Sequence, residues 1–562
     1  MRTSPRSLLN QLDKTKAFYG PEFPEAKANL LRALESAELS TARDVLCLHD
    51  DLCYLAAYPD TPKILRQARR MLRTFRARHD VMALRDELVG SGIASTDTYY
   101  RFYAPTARWL AKRWPYQIDI DWEEFDHQGP LEELLPLLVH YSETPGLDEY
   151  PFSLREWIER LKGPEETDAA FLVRRFAALK VDDFTWETLY NGIDPPLKLS
   201  PGPRTPNRTE AYFPPVDVCF QQGPLDRSRP EARSAIKQPL GSVELLSPRK
   251  GRRMADLARS LMVAYNRELD AFSYSSSRDV TLVDSGQGLA FAFLGMEPER
   301  RLLLEAVYGF VVLKNGMPIG YGTVSSLFGS SEIAFNIFAP FRGNETARIF
   351  VQLLAAVRRL FGSDSFTLYP YQVGQDNAEA LHSGAWWFYQ KLGFRAREPA
   401  VLKLMQRELS RMKRNRGYRS NPATLRELAT ANVYLHVGRT RDDVIGLLPL
   451  GRVGLAISDY LARRFGGGRT SNNCASEAAR LLGRKTTPGG SRSRRLAWER
   501  WAPLVLALPG LAGWSVRDKN ALAATIDAKG SHHERDFVLL FDKHRRLRQS
   551  IRRLAAMTPE EL

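Results

Sequence analysis

Cysteine is scarce in this chain: Cys47, Cys53, Cys219 and Cys474 are the four in 562 residues. Their spacing matches no zinc motif, and so few in so long a chain make no disulfide framework, so a reducing compartment is expected. Histidine is sparse too, nine in all, four of them in the N-terminal region. His49, His79, His127 and His140 are too scattered to suggest a metal site, and none is expected. No apolar run reaches the ~20 residues of a membrane helix; the most apolar stretch near the end, residues 502–511, carries Pro503 and Pro509. The opening residues, MRTSPRSLLNQLDKTK, hold no continuous apolar run of the signal-peptide kind, which predicts a soluble cytoplasmic protein. There is no internal repeat at solenoid periods. Gly466-Gly467-Gly468-Arg469-Thr470-Ser471 lacks the Gly-Lys-Ser/Thr ending of a phosphate loop and predicts a linker with an N-cap.

What is present is an ordinary folding composition with a basic excess. Hydrophobic residues make up 44% and charged residues 26%, which predicts several cores rather than disorder. The formal charge of +15 and pI near 9.6 fit contact with something acidic: nucleic acid, an anionic membrane face or a phosphate-rich cofactor. The basic runs at residues 411–419, 492–495 and 543–553, with Tyr418, Trp498 and Trp501 near two of them, could track a phosphate backbone. No nucleic-acid motif accompanies them, and a solvated helix face explains many of the arginines.

Five segments are expected. Residues 1–193 read as a helical accessory domain: Thr61-Pro62 caps one helix, and Ser153 with Glu156 forms a capping box flanked by Phe152 and Trp157 as a hydrophobic staple. Residues 194–240 carry ten prolines and read as a linker or an extended arm. Residues 241–406 open with a helix and continue with the strand runs VTLVD, LAFAFLG, YGFVVLK and PIGYGTV, the last two joined by the hairpin signal Asn315-Gly316. A basic linker, 407–421, leads to a helical region, 422–562.

Residues 332–394 read as strand, tight loop, helix, strand, long loop and a second helix ending in Lys391-Leu392-Gly393-Phe394. In the strand from Glu332 to Phe338, alternation puts Ile333, Phe335 and Ile337 on one face and Glu332, Ala334, Asn336 and Phe338 on the other. The loop Arg342-Gly343-Asn344-Glu345-Thr346-Ala347 opens a helix whose first amides lack partners, a general device for holding an anion.

This order resembles the cofactor-binding half of the GNAT acetyltransferase superfamily. Arg342 and Ala347 fit that family's Arg/Gln-x-x-Gly-x-Gly/Ala segment, whereas Glu345 replaces its central glycine. Asn377-Ala378 and Tyr389-Gln390-Lys391-Leu392-Gly393-Phe394 resemble its closing motif. The resemblance covers less than half of the chain. It implies an α/β (α+β) domain with a mixed, largely antiparallel sheet, and an acyl-CoA-dependent N-acyltransferase using acetyl-CoA or another acyl-CoA. It further implies that Tyr389 protonates the leaving thiolate, that Asn377 bonds the cofactor arm, and that Ile337, Phe338, Ala339, Arg342, Gly343, Asn344, Glu345, Thr346 and Ala347 bind the cofactor.

Glu332, an acid on the non-core face of the strand, is the best candidate general base for a substrate amine, with Tyr369 and His382 as weaker ones. The amine could belong to a small molecule or a protein. Two other functions fit the same residues: a catalytically inactive protein that keeps the fold for binding or scaffolding, and a basic nucleic-acid-associated protein.

Overall fold

The structure, a computed structural model, describes residues 4–343, 345–466, 471–484 and 490–557. It divides into two compact units. One comprises residues up to Leu225 with Met254–Tyr274 and Lys314–Pro318; the other comprises Asp226–Arg253, Ser275–Leu313 and the chain from Ile319 onward. Among the described residues no helix is long and apolar enough to cross a membrane.

The first unit is helical, with a small sheet of β1 (Thr98–Tyr100), β2 (Ile118–Ile120) and β3 (Leu197–Leu199) in the order β1-β3-β2. Its helices start where local chemistry requires. The Thr61 hydroxyl accepts the Ile64 amide, the box between Ser153 and Glu156 closes, and the Phe152 and Trp157 rings meet edge to face with centroids 5.2 Å apart. The proline-rich run lies as an extended arm along this unit, the Gln221 amide bonding the Pro59 carbonyl and the Arg208 amide that of Gly92. Asn315 and Gly316 both have positive φ, 48° and 82°, as a type I′ turn demands. The Asn315 side chain is fully buried, donating to the carbonyls of Ala57 and Cys219 and accepting the Cys219 amide.

One buried cation organises the early helices of this unit. Lys27 is 0% exposed, and its ammonium donates to the carbonyls of Lys16 and Phe18 and to Asp60 at 2.8 Å. It also sits 4.5 Å from the centre of the Tyr19 ring. All its donors are used, which is what lets a lysine remain in a core.

The second unit is built on a mixed sheet which, among the described residues, has nine strands. These are β4 (Val243–Leu245), β5 (Ser275–Asp284), β6 (Leu289–Met296), β7 (Ala306–Lys314), β8 (Met317–Leu327), β9 (Ser330–Ile337), β10 (Ser365–Leu368), β11 (Arg395–Ala396) and β12 (Val433–His436). Their order is β11-β12-β10-β9-β8-β7-β6-β5-β4. β8 and β9 pair antiparallel, β9 and β10 parallel, and β12 is antiparallel to both β10 and β11. The α/β class with a mixed sheet is therefore as expected. β12 lies in a stretch read as helical, because four residues, Val433-Tyr434-Leu435-His436, are too short a run to show a period.

The helix Thr346–Phe361 joins β9 to β10 and is buried along both of its apolar rows, from Ile349 to Phe361. The C-terminal helices are tied to the sheet by a buried polar network. An Asp279 oxygen accepts from the Tyr308 hydroxyl at 2.8 Å and from the Glu534 amide at 3.0 Å. Lys529 pairs with Glu534 at 2.5 Å and donates to the Glu305 carbonyl, while Arg301 donates to the carbonyls of Lys529, Ser531 and His532. Gly295 makes room for it, since a Cβ there would lie 2.1 Å from Asp279 Oδ2.

Breaking the Lys27 pair by Lys27→Met leaves a buried carboxylate alone and is expected to lower unfolding free energy by about 3–5 kcal/mol in urea titrations. The double change Lys27→Met with Asp60→Leu should recover much of that loss. A single variant as stable as the parent would contradict the assignment.

Candidate functional site

β9 and β10 pair over only three positions, Ser330 with Ser365, Ser331 with Phe366 and Glu332 with Thr367. The pairing ends there because β10 stops at Leu368, one residue past Thr367, while β9 runs on. β9 remains paired to β8 as far as Ile337, so its other edge is open over residues 333–337. The carboxyl end of a parallel pair joined by a helix is the end of an open sheet at which ligands commonly bind.

Glu332 stands at the last paired position. The observed alternation buries Ile333, Phe335 and Ile337 and leaves Glu332, Ala334 and Asn336 partly exposed, as the pattern predicts, but Phe338 is buried because β9 ends at Ile337 and the period no longer applies. Burial, followed by repulsion from Glu305, pushes the Glu332 carboxyl up from its ordinary 4.5 to about 8. Glu305 is itself raised by burial and accepts a hydrogen bond from Ser325, the residue opposite Glu332 on β8. Tyr369 follows β10 directly and is 40% exposed. Its phenol is raised, first by burial and then by the Glu332 and Glu305 charges. The Glu332 carboxyl can therefore exchange a proton near neutral pH, while the Tyr369 phenol keeps its own there.

Tyr389 is in a different situation. It is 3% exposed, packed edge to face against Phe350 and Phe388, and its oxygen accepts the Gln372 amide at 2.6 Å. Burial pushes its phenol well up. The same Gln372 amide donates to the Phe335 carbonyl at 2.8 Å, and its oxygen accepts the Phe335 amide at 3.2 Å. One side chain thus takes the place of a partner strand on the open edge of β9. Tyr389 reads as part of the aromatic wall and as the anchor of that glutamine, enclosed rather than exposed.

The loop residues are largely engaged with the protein itself. Arg342 donates to the Ile337 carbonyl at 2.7 Å and to Asn336, and pairs with Glu379. Ile337 and Phe338 are buried, the Phe338 amide bonding the Ile319 carbonyl, while Ala339 is exposed. Gly343 has φ 78° and open space where a Cβ would stand. Asn344 lies outside the described residues. Glu345 is buried at the N-cap of the Thr346–Phe361 helix, with its carbonyl accepting the Ile349 amide, and Ala347 is half-buried in the first turn. Thr346 Oγ1 is buried with no partner among the described residues. Asn377 caps the short helix Ala378–Ser383 through Ala380 and donates to the Tyr371 carbonyl, and His382 is exposed in that helix.

Sequence reasoning missed Glu305 and Gln372. Neither belongs to a motif; both matter only because the sheet brings them beside Glu332 and Phe335. Elsewhere, Trp498 and Trp501 are buried and unable to stack on bases, and the Tyr418 hydroxyl donates to Glu408. Asp13, Cys47 and Asp51 bring their ligand atoms within 4.8 Å of one another, but the Lys16 ammonium already lies 2.6 Å from both carboxylates.

The folded value of Glu332 exceeds its unfolded one, so its contribution to stability is fully present below about 4.5 and is lost as pH rises through about 8. Glu332→Gln carries no such loss. The difference in melting temperature, variant minus parent, is expected to grow from pH ~5 to pH ~9; a constant difference would contradict the assignment.

Comparison of the chain with protein-family models, with curated proteins and with solved structures finds no match.

Proposed function

We propose that the chain is an acyl-CoA-dependent N-acyltransferase of GNAT-like fold, with Glu332 as the general base for a substrate amine. The observation that carries this reading is a partly exposed carboxyl, its proton held up by its surroundings, at the last paired position of two parallel strands. The strand, loop, helix and parallel strand in residues 330–368 follow the order the resemblance implies.

The residues present fit an acyl-CoA in two respects and resist it in one. Thr346 Oγ1 has no partner among the described residues, and the space beside Gly343 is open. Glu345, buried at the helix start, would repel a phosphate; at ~5 Å and an effective dielectric of ~20 the cost is about 3 kcal/mol. Acyl-CoA, when bound, supplies the acyl group as a thioester. Glu332 accepts a proton from the attacking amine. Tyr369, the exposed phenol beside it, is the better proton donor to the departing thiolate, since Tyr389 is enclosed and bonded to Gln372.

A second reading has its own support. Gln372 satisfies both backbone groups of Phe335 without any ligand, as expected of a protein that keeps the fold for binding or scaffolding alone.

The two are separated by acetyl-CoA titration with melting temperature and free thiol release as readouts, using a panel of amines. Ligand at ~100 times its Kd should stabilise the chain by about 2.7 kcal/mol. Glu332→Gln should cut thiol release by roughly 10²–10⁴-fold while the thermal shift persists, and Tyr389→Phe should keep turnover within about threefold. No thermal shift at ~1 mM acetyl-CoA overturns the enzyme reading. A shift without turnover on any amine favours the second.

A further inference from the structure

A cavity of the second unit lies at the other end of β9 from Ile337. It encloses about 700 Å³ and is floored by Phe328, Phe361 and Leu539. Gly329, at its wall, immediately precedes β9, so this wall and Ile337 are separated by roughly 25 Å of strand. None of Glu332, Tyr369 or the residues 337–347 lines it.

Its charged lining is only partly self-neutralised. Arg441 is held by Asp364 at 2.9 Å and Asp443 at 2.7 Å, and Arg548 by Asp443 at 2.5 Å. Asp442 is taken by Arg397, outside the cavity, at 2.5 Å. Arg552 comes no nearer than 3.9 Å to Asp443, which two other guanidinium groups already occupy. Arg439 and Lys543 are exposed and form no ion pair or hydrogen bond with a described residue. The cavity therefore has cations to spare.

Asp542 is the opposite case. One of its oxygens accepts the Gly329 amide at 2.9 Å; the other, Oδ1, is buried and has no hydrogen-bond partner among the described residues. Burial lifts this carboxyl to about 7 despite the Gly329 and Phe328 amides and the charges of Arg548 and Arg441. A buried carboxylate oxygen without a donor is costly, and a cationic donor from a ligand would relieve it. The adjoining guanidinium groups disfavour a bare divalent metal ion there, and the volume is that of a small-molecule site rather than of one ion.

We infer that this cavity binds a small zwitterion, with its anionic group, phosphate or carboxylate, on Arg439, Lys543 and Arg552 and its ammonium on Asp542. The anion finds Arg439 and Lys543, which hold no ion pair among the described residues, with Arg552 only loosely held by Asp443, and the ammonium finds the Asp542 carboxylate. This site is independent of the acyl-transfer reading, since it shares no residue with it.

Calorimetric titration of the full chain at pH ~8, where Asp542 is mostly ionised, tests it with O-phosphoethanolamine against methyl phosphate and with β-alanine against propionate. In at least one arm the amine-bearing compound should bind about tenfold or more tighter than its amine-free counterpart, and that arm identifies the anion. Asp542→Asn should abolish the advantage, keeping an acceptor for Gly329. Arg439→Ala with Lys543→Ala, both at exposed positions and so harmless to folding, should weaken the amine-bearing compound by about tenfold or more. No advantage in either arm, no binding by ~10 mM, or full affinity in the double variant would overturn the proposal.

Discussion

Parallel pairing between β9 and β10 stops after three residues, and most of what is chemically distinctive in the second unit follows from that early stop. Full pairing would fill the edge of β9 with strand. The short β10 instead leaves that edge of residues 333–337 without a strand, and a polar edge inside a core must be satisfied by something. Gln372 supplies the answer for Phe335 with both ends of one amide, and Tyr389 supplies that amide with its remaining acceptor. Glu332, at the last paired position, is buried enough to hold its proton near neutrality and close enough to the opening to exchange it.

Each unit also keeps charges where apolar packing would be cheaper. In the first, Lys27 gathers two carbonyls and a carboxylate from separate segments. In the second, Asp279, Glu534, Lys529 and Arg301 join strands to the C-terminal helices through main-chain as well as side-chain groups. Such clusters add little net stability over an apolar core, but they tolerate few alternative arrangements, because any other register strands a charge. Their value here is the fixed position they give Glu305, whose carbonyl takes the Lys529 ammonium and whose carboxylate helps raise Glu332.

Local chemistry was legible from the residues. Asn315-Gly316 forms its turn because both positions need positive φ, the Ser153 box closes because its spacing leaves little else to bond, and the alternation of β9 appears as written. Long-range pairing was not. β12 is four residues long and reaches β10 across more than sixty positions, with no periodicity to announce it. Within the candidate site, Glu332 could be picked as an acid on the outward face, while its raised pKa depends on Glu305, a residue from another strand's threshold. Tyr389 was read from a helix ending, but enclosure by Phe350, Phe388 and Gln372 is a property of packing that a motif does not carry.

The central claim is that a single carboxyl at the last paired position of β9 and β10 is neutral at physiological pH and ionises just above it. Difference infrared spectroscopy of the parent against Glu332→Gln, followed across pH ~5 to ~10, reads that proton directly in the carboxyl stretch. The account predicts a protonated-carboxyl band, absent from the variant, that disappears with a midpoint near 8. A Glu332 band that has already vanished by pH ~5, with the ordinary carboxylates, would contradict it.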